Sequence, residues 1–163
     1  MGIENYIKAS LAITPGRDFP DHFKIIEVVP GQRLHLDAFQ VEIHKTKHTP
    51  ESVGYRFNFD DNTSLAISGD TGYDSSVVEL IKGADVAVLE CSYDDDVYEK
   101  TKSVVNHLGP TTAGKLAAAG EIKTLVLTHL YPSADAIDVA AVARQVFNGE
   151  VITAQDGMKI PLN

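Results

Sequence analysis

The chain has 163 residues, 44% of them hydrophobic and 23% charged, which is typical of one globular domain and excludes disordered, collagen-like and coiled-coil chains. Its 23 acidic and 14 basic residues give a net charge of −9, which tells against a nucleic-acid-binding surface. With one cysteine, no basic leader and no apolar run near the ~18 residues of a membrane span, the sequence predicts a cytoplasmic protein without an internal disulfide.

The first half of the chain predicts a helix followed by paired strands. Apolar side chains recur near helical spacing over residues 3–12, which indicates a short amphipathic helix. Residues 39–43 and 53–59 alternate between apolar and polar side chains, the pattern of strands with one buried face. The polar cluster at 60–62 then turns the chain into an apolar segment at 63–68, so we expect a hairpin here.

The second half predicts helices that alternate with buried strands. Helices are expected at 74–82 with Asp74 as N-cap, from Pro110 to Gly120, and from Ser133 to about Phe147; strands are expected at 84–90, 122–128 and 150–154, followed by a turn and a last short strand. Such alternation implies βαβ crossovers and parallel strands, whereas the first half is hairpin-like. The sequence therefore predicts an α/β fold with one large mixed sheet.

Four polar residues stand just beyond predicted strands: His48, Asp70, Glu90 and His129. His107 joins them at the start of a predicted helix. Ligands of open α/β sheets bind in the crevice at the carboxyl ends of the strands, so this shared placement predicts a functional site. Imidazoles and carboxylates that meet at one edge suit a divalent metal such as zinc.

Each of these residues also has an ordinary explanation. His48 and His129 can be loop histidines, and Asp70 can be a turn residue that bonds its own backbone. Cys91 is expected to be a small buried hydrophobe, whereas Glu90 requires a partner if it is buried. The set of residues, more than any single member, supports the prediction of a site.

The same set matches a known family. The segments KHTPESVGYRF, SLAISGDTGYD, LECSY, NHLGPTTAGKLA and LVLTHL resemble, in order and spacing, the second half of metallo-β-lactamase-fold hydrolases of the ribonuclease Z-like branch. The resemblance implies an αββα sandwich of two similar halves around a dinuclear metal centre. On this basis residues 1–163 are expected to form a single incomplete domain, the second half of the sandwich plus part of the first. Residues 1–30 would supply a leading helix and loop, and 31–163 the sheet and the site.

The resemblance also implies a role for each candidate residue. His48 corresponds to a ligand of the first metal, His129 to a ligand of the second, and Asp70 to the carboxylate that bridges both. His107 corresponds to a catalytic histidine that donates a proton to the leaving group, and Glu90 lies where a carboxylate orients that imidazole. The implied cofactor is zinc, two ions in the complete family site, with manganese as an alternative. The implied reaction is attack of a metal-bound hydroxide on a phosphoester or related bond.

One feature of the family is missing from this chain. The H-x-H-x-D-H motif does not occur in the sequence, which contains no H-x-H pair. His48, Asp70 and His129 alone would give each metal two protein ligands, whereas catalytic zinc usually has three. We therefore expect weak or absent activity from the isolated chain, and a partner that is either a second copy or a separately encoded N-terminal half. The alternative is a non-catalytic α/β module for binding or assembly.

The charge of the chain bears on its substrate. A net charge of −9 favours a small phosphoester over tRNA. Lys47 and Arg56 lie near the predicted site in the sequence and are candidates for holding a phosphate group.

Overall fold

The computed structural model describes Asn5, Ile7, residues 25–102, Val104 and residues 106–162. Its strands form one seven-stranded sheet whose spatial order follows the chain. The strands are β1 (Arg33–Leu36), β2 (Phe39–Lys45), β3 (Val53–Phe59), β4 (Ser64–Ile67), β5 (Val86–Glu90), β6 (Thr124–Thr128) and β7 (Glu150–Thr153). Of the helix predicted at 3–12, only Asn5 and Ile7 are described, both helical, and the rest lies outside the described residues.

The sheet is mixed, as the sequence predicts. Strands β1 to β4 pair antiparallel, and β4 to β7 pair parallel. The predicted hairpin is β3–β4, in which Tyr55 lies opposite Ile67. Its turn is stabilised by the Asp61 carboxylate, which accepts hydrogen bonds from the backbone and hydroxyl of Thr63. The parallel strands bring their carboxyl ends to one edge of the sheet, and this edge carries the candidate site.

The helices are α1 (Ser75–Ile81), α2 (Asp95–Thr101), α3 (Pro110–Ala119), α4 (Pro132–Asp135) and α5 (Val139–Ala143). The predicted caps of α1 and α3 are confirmed: Asp74 accepts from the Ser76 amide, and Gly120 is the C-cap of α3. The single helix expected from Ser133 to Phe147 is wrong, because Asp138 caps the new helix α5 through the Ala141 amide.

Two other local predictions need correction. The sequence pattern does not predict helix α2, which begins at Asp95 after the N-cap Asp94; the side chain of Asp94 accepts a hydrogen bond from the Val97 amide. Residues 158–162, expected to include a last strand, are irregular. No helix in the described part of the chain is long and apolar enough to cross a membrane.

Helices α1, α3 and α5 pack on one face of the sheet. A Cβ at Gly54 of β3 would lie 2.5 Å from the Leu80 side chain of α1, so Gly54 marks the face that the helices cover. The core between these helices and the sheet is formed by fully buried small and branched side chains, which include Ala66, Leu80, Ala87, Leu89, Leu116, Leu125, Leu127 and Ala143. This packing fixes the strands that end at the candidate site.

The opposite face of the sheet is also apolar, and α1, α3 and α5 do not cover it. Side-chain alternation and strand register place these residues on it: Phe39, Val41, Ile43, Tyr55, Phe57, Phe59, Leu65, Ile67, Val86, Val88 and Val126. The ring of Phe39 lies 5.9 Å from that of Phe57 and 5.5 Å from that of Phe59. We call this surface the helix-free face, a name that refers to α1, α3 and α5 alone; Val41, Ile43, Val86 and Val126 are buried, and its other residues are partly buried.

Asp85 stabilises the opposite edge of the sheet, far from the candidate site. Its buried carboxylate accepts hydrogen bonds from the Ser64 amide at 2.7 Å and from the Ser64 hydroxyl at 3.0 Å. The same carboxylate lies 2.6 Å from the Lys123 ammonium. The hydrogen bond from Lys123 lowers the pKa of Asp85, and the bonds from Ser64 act in the same direction, although burial opposes them.

We expect Asp85→Ala to lower the free energy of unfolding by about 1–3 kcal/mol at pH 7, because the buried Ser64 groups lose their acceptor. Because the pKa of Asp85 is lower in the folded protein than in the unfolded chain, the carboxylate contributes its full stabilisation above the pKa of the unfolded chain. This stabilisation is lost as the pH falls through the pKa of the folded protein. In denaturant titrations the difference in free energy of unfolding between the unmodified protein and Asp85→Ala should therefore become smaller below about pH 4. The exposed Asp60→Ala is the matched control. An equal difference in free energy of unfolding at pH 7 and at pH 3 would contradict the stabilising role of the ionised Asp85.

Candidate metal centre

The candidate site lies at the carboxyl ends of three adjacent parallel strands. Asp70 follows β4, Glu90 is the last residue of β5, and His129 follows β6. His48 reaches the same place from the loop after β2. Two hydrogen bonds hold it there: its Nδ1 lies 3.1 Å from the Asn106 carbonyl oxygen, and the Asn106 side chain donates to the His48 carbonyl at 3.1 Å.

Asp70 lies between the two histidines, as predicted. Its Oδ2 is 3.9 Å from Nε2 of His48, and its Oδ1 is 3.7 Å from Nε2 of His129. These separations are too long for direct hydrogen bonds. They are close to the roughly 3–4 Å between atoms that are each about 2 Å from one shared ion. The predicted convergence is confirmed, and the ligand roles remain a prediction.

The tautomers of both histidines suit metal binding. Nδ1 of His48 lies against the Asn106 carbonyl, which can only accept, so this nitrogen carries the hydrogen. Nδ1 of His129 lies 2.8 Å from the Ser92 hydroxyl. In a neutral imidazole that donates through Nδ1, Nε2 keeps its lone pair, and in both residues Nε2 faces Asp70.

Glu90 and His107 form a buried pair beside these residues. The Glu90 side chain is 1% exposed, and its Oε1 lies 2.9 Å from Nδ1 of His107. The carboxylate also accepts from the backbone amides of Thr71 and Leu108 and from the Ser92 hydroxyl. These bonds satisfy the buried charge and fix the His107 ring. The contact that the sequence predicts between Glu90 and His107 is present.

His107 is close enough to the cluster to offer a second role. Asp70, His107 and His129 each present one ligand atom, and these atoms all lie within 4.8 Å of one another. The His107 ring stacks on that of His129 at 5.8 Å and lies 4.9 Å from that of His48. A proton donor and a metal ligand are both compatible with this geometry.

The site opens into a cavity of about 260 Å³. Its lining combines the polar residues Asp70, Glu90 and His129 with Ile67 and Val88 of the helix-free face. Tyr131, which does not line this cavity, is 39% exposed, and its ring lies 5.1 Å from that of His129. An open cavity with an apolar wall and convergent polar groups is typical of a small-molecule site.

The backbone at His129 supports a functional role for this residue. His129 adopts a φ of 59°, the left-handed region that residues with a Cβ rarely occupy. Strain of this kind persists where the surrounding structure enforces it and is frequent at functional sites. It turns the imidazole at the end of β6 towards Asp70.

We expect His129→Gly to be more stable than His129→Ala by about 1 kcal/mol, because both variants lose the imidazole and only glycine relieves the strained φ. Thermal or chemical unfolding of the two variants measures the difference. Equal stabilities would show that the left-handed backbone carries no cost here.

The two basic residues proposed for phosphate binding lie in different places. Lys47 is next to His48, and its Nζ lies 3.5 Å from the Tyr73 carbonyl oxygen. Arg56 projects from the helix-covered face of β3, and its guanidinium donates to the carbonyls of Leu80 and Lys82 at the end of α1. The structure therefore does not bring Arg56 to the site, because this side chain caps a helix instead.

Three residues of the site were not singled out from the sequence. Ser92 and Asn106 contact the two histidines through hydrogen bonds, and the ring of Tyr131 lies 5.1 Å from that of His129. Ser92 follows Glu90 by two residues, and Asn106 and Tyr131 are each within two residues of a candidate histidine. Proximity to predicted ligands was the one available signal, and it does not show which neighbours point inward.

Comparison with known proteins identifies the family. A family model for the beta-lactamase superfamily domain matches residues 6–130. Uncharacterized protein ML1173 of Mycobacterium leprae is 34% identical over 140 residues, which cover 86% of this chain and 48% of that protein. The chain spans about half the length of the curated relatives it matches.

Solved structures agree with this match. The metallo-beta-lactamase fold protein YhfI from Bacillus subtilis superposes with a TM-score of 0.76 at 26% identity, over 93% of this chain and 61% of that one. Human tRNase Z, short form, superposes with a TM-score of 0.62 at 26% identity, over 80% of this chain and 44% of that one. The expected fold class is confirmed, and the chain belongs to the beta-lactamase superfamily, with the metallo-β-lactamase fold.

Proposed function

We propose that this chain carries part of the active site of a metal-dependent hydrolase that cleaves phosphoester or related bonds. The observation that supports this most is the Asp70 carboxylate between two Nε2 atoms at 3.7 and 3.9 Å, with the Glu90–His107 pair beside them. One relative is described as a probable metallo-hydrolase and another as ribonuclease Z. The site and the family point to the same chemistry.

The residues present fit a divalent ion. Imidazole nitrogens and carboxylate oxygens are the usual ligands of zinc, and the Nε2 atoms of His48 and His129 lie 3.9 and 3.7 Å from the Asp70 carboxylate. We propose zinc as the ion, held by His48 and Asp70 at one position and by Asp70 and His129 at a second, with manganese as the alternative. Bound ions of this kind activate water and balance the negative charge that develops on a phosphoryl group.

His107 is the proposed general acid. Glu90 bonds Nδ1 of His107, so Nε2 is the nitrogen left to hold a proton for the leaving group. The carboxylate also fixes the orientation of the imidazole, because its Oε1 lies 2.9 Å from Nδ1 of His107. Glu90 acts through His107 and is therefore a positioning residue.

The proposed substrate is a small phosphoester. A chain with a net charge of −9 repels a polyanion such as tRNA, so phosphate must be held by the site itself. Lys47, exposed beside His48, is the residue we propose for this contact. The single buried cysteine suits a reducing compartment, and we propose the cytoplasm.

We also propose that the chain works with a partner seated on the helix-free face. This face carries aromatic and branched side chains from β2, β3 and β4, and it continues into the cavity of the site through Ile67 and Val88. A partner there, either a second copy or a separately encoded N-terminal half, would cover apolar surface. Only the N-terminal half can add the ligands of the H-x-H-x-D-H motif, because a second copy of this chain lacks that motif as well.

Light scattering at micromolar concentration tests this association. For the protein alone we expect a dimer, twice the 17.6 kDa of one chain, because Phe39, Phe57 and Phe59 of this face are only partly buried in the single chain and association would bury them further. Phe57→Glu should give the monomer, because it places a charge in the middle of the helix-free face, whereas Val29→Glu, outside the sheet, should not. A stable 17.6 kDa particle would contradict the homodimer.

Metal content and hydrolysis together test the proposed function. The purified chain should bind zinc or manganese and hydrolyse bis(p-nitrophenyl) phosphate slowly, at a rate that falls to background after chelation and returns on adding metal. Low turnover is expected because each ion has two protein ligands from this chain. A non-catalytic module would contain no stoichiometric metal and would show no difference between the loaded and the chelated protein.

A further inference from the structure

Ser92 lies between His129 and the Glu90–His107 pair of the candidate site. Its Oγ is 2.7 Å from Oε2 of Glu90, 2.8 Å from Nδ1 of His129 and 3.2 Å from Nδ1 of His107. The residue is completely buried. We propose that Ser92 is a positioning residue: its hydroxyl fixes the tautomer of His129 that turns an unprotonated Nε2 towards Asp70. This inference rests on the proposed function and deepens it.

The direction of the hydrogen bonds follows from donor counting. A hydroxyl has one hydrogen to donate and two lone pairs to accept. A buried carboxylate only accepts, so Ser92 donates its hydrogen to Glu90. The contact with His129 can then be a hydrogen bond only if Nδ1 of His129 carries the hydrogen and Ser92 accepts it.

The tautomer of His129 determines which of its two nitrogens is free to bind a metal ion. A neutral imidazole with hydrogen on Nδ1 has its lone pair on Nε2, and Nε2 of His129 lies 3.7 Å from Asp70. In the described part of the chain, Ser92 is the one hydrogen-bond partner of Nδ1 of His129. Outer contacts of this kind set the orientation and tautomer of metal-binding histidines.

Ser92 also connects His129 to the Glu90–His107 pair. Nδ1 of His107 is closer to Glu90, at 2.9 Å, than to Ser92, at 3.2 Å, so its hydrogen goes to the carboxylate. Glu90 thus receives hydrogens from both Ser92 and His107. The buried Glu90 carboxylate therefore specifies which nitrogen is free in both imidazoles, directly in His107 and through the Ser92 hydroxyl in His129.

The tautomer can be measured directly in the metal-free protein. Long-range ¹H–¹⁵N spectra of the histidine rings, at about pH 8.5 where a free imidazole is neutral, distinguish hydrogen on Nδ1 from hydrogen on Nε2. We expect the Nδ1–H form for His129 in the unmodified chain and in Ser92→Thr, which keeps a hydroxyl. Ser92→Ala should give a mixture of tautomers. The exposed Ser75→Ala is the matched control.

Zinc affinity supplies the second readout. Ser92→Ala should weaken zinc binding by about 10- to 100-fold, the usual effect of losing an outer contact to a ligand, and Ser92→Thr should recover most of it. Backbone amide spectra of each variant show whether it is folded. The tautomer of His129 in the unmodified chain can be measured even if a variant fails to fold.

The outcomes separate this proposal from the proposed function. An Nε2–H tautomer in the unmodified chain would overturn the role of Ser92, and so would a Ser92→Ala variant with unchanged tautomer and unchanged affinity. A chain that shows the expected tautomers but binds no zinc would leave the positioning by Ser92 intact and would contradict the metal-dependent function.

Discussion

Asp70→Ala should reduce zinc affinity by about 100-fold or more, because Asp70 is the group that both histidines face. Its two oxygens lie towards different imidazoles, so one substitution removes a ligand from both proposed metal positions. Competition with a chromogenic chelator measures the affinity. Hydrolysis of bis(p-nitrophenyl) phosphate should fall to the rate of the chelated protein.

The exposed Asp60→Ala is the control, since it removes the same charge at the far end of β3. A loss of affinity in both variants would indicate a general electrostatic effect of the −9 charge rather than ligation. Full affinity in Asp70→Ala would contradict the proposed metal centre.

His107→Ala should lower turnover by about 10²- to 10³-fold and leave metal content nearly unchanged. The reason is that the proposed acid protonates the leaving group without holding the ion. The effect should depend on the substrate: a phosphodiester with a methyl leaving group needs this proton, whereas p-nitrophenolate leaves readily without it. The ratio of the two rates therefore reports acid catalysis, and a general loss of structure would leave it unchanged.

His44→Ala is the matched control, because His44 lies on β2 outside the cluster and pairs with Glu42. Loss of metal on His107→Ala would instead make His107 a ligand, as its place within 4.8 Å of Asp70 and His129 allows. Equal losses with both leaving groups would contradict the role of proton donor.

Much of the fold follows from patterns that the sequence displays openly. The alternation of residues 53–59 predicts β3 with the bounds that the structure gives, because one face of this strand is apolar. Asp74 and Gly120 mark the limits of α1 and α3 because caps satisfy exposed backbone groups. The meeting of Asp70 and His129 follows from the rule that parallel strands end at one edge.

The remaining errors arise where one residue decides between two local structures. Ser133 was expected to cap a long helix, but Asp138 starts α5 in its place. Arg56 was assigned to phosphate, but it lies on the face of β3 that α1 covers, and strand alternation alone does not show which face that is. Ser92 acts through contacts to residues 15 and 37 positions away, which local patterns do not reveal.

Anomalous diffraction from crystals grown with zinc, recorded at the zinc absorption edge, tests the central claim most directly. We predict a peak about 2 Å from Nε2 of His129 and from one carboxylate oxygen of Asp70, with a second peak near Nε2 of His48. The absence of a peak near Asp70 in crystals that contain zinc elsewhere would contradict a metal centre built on this carboxylate.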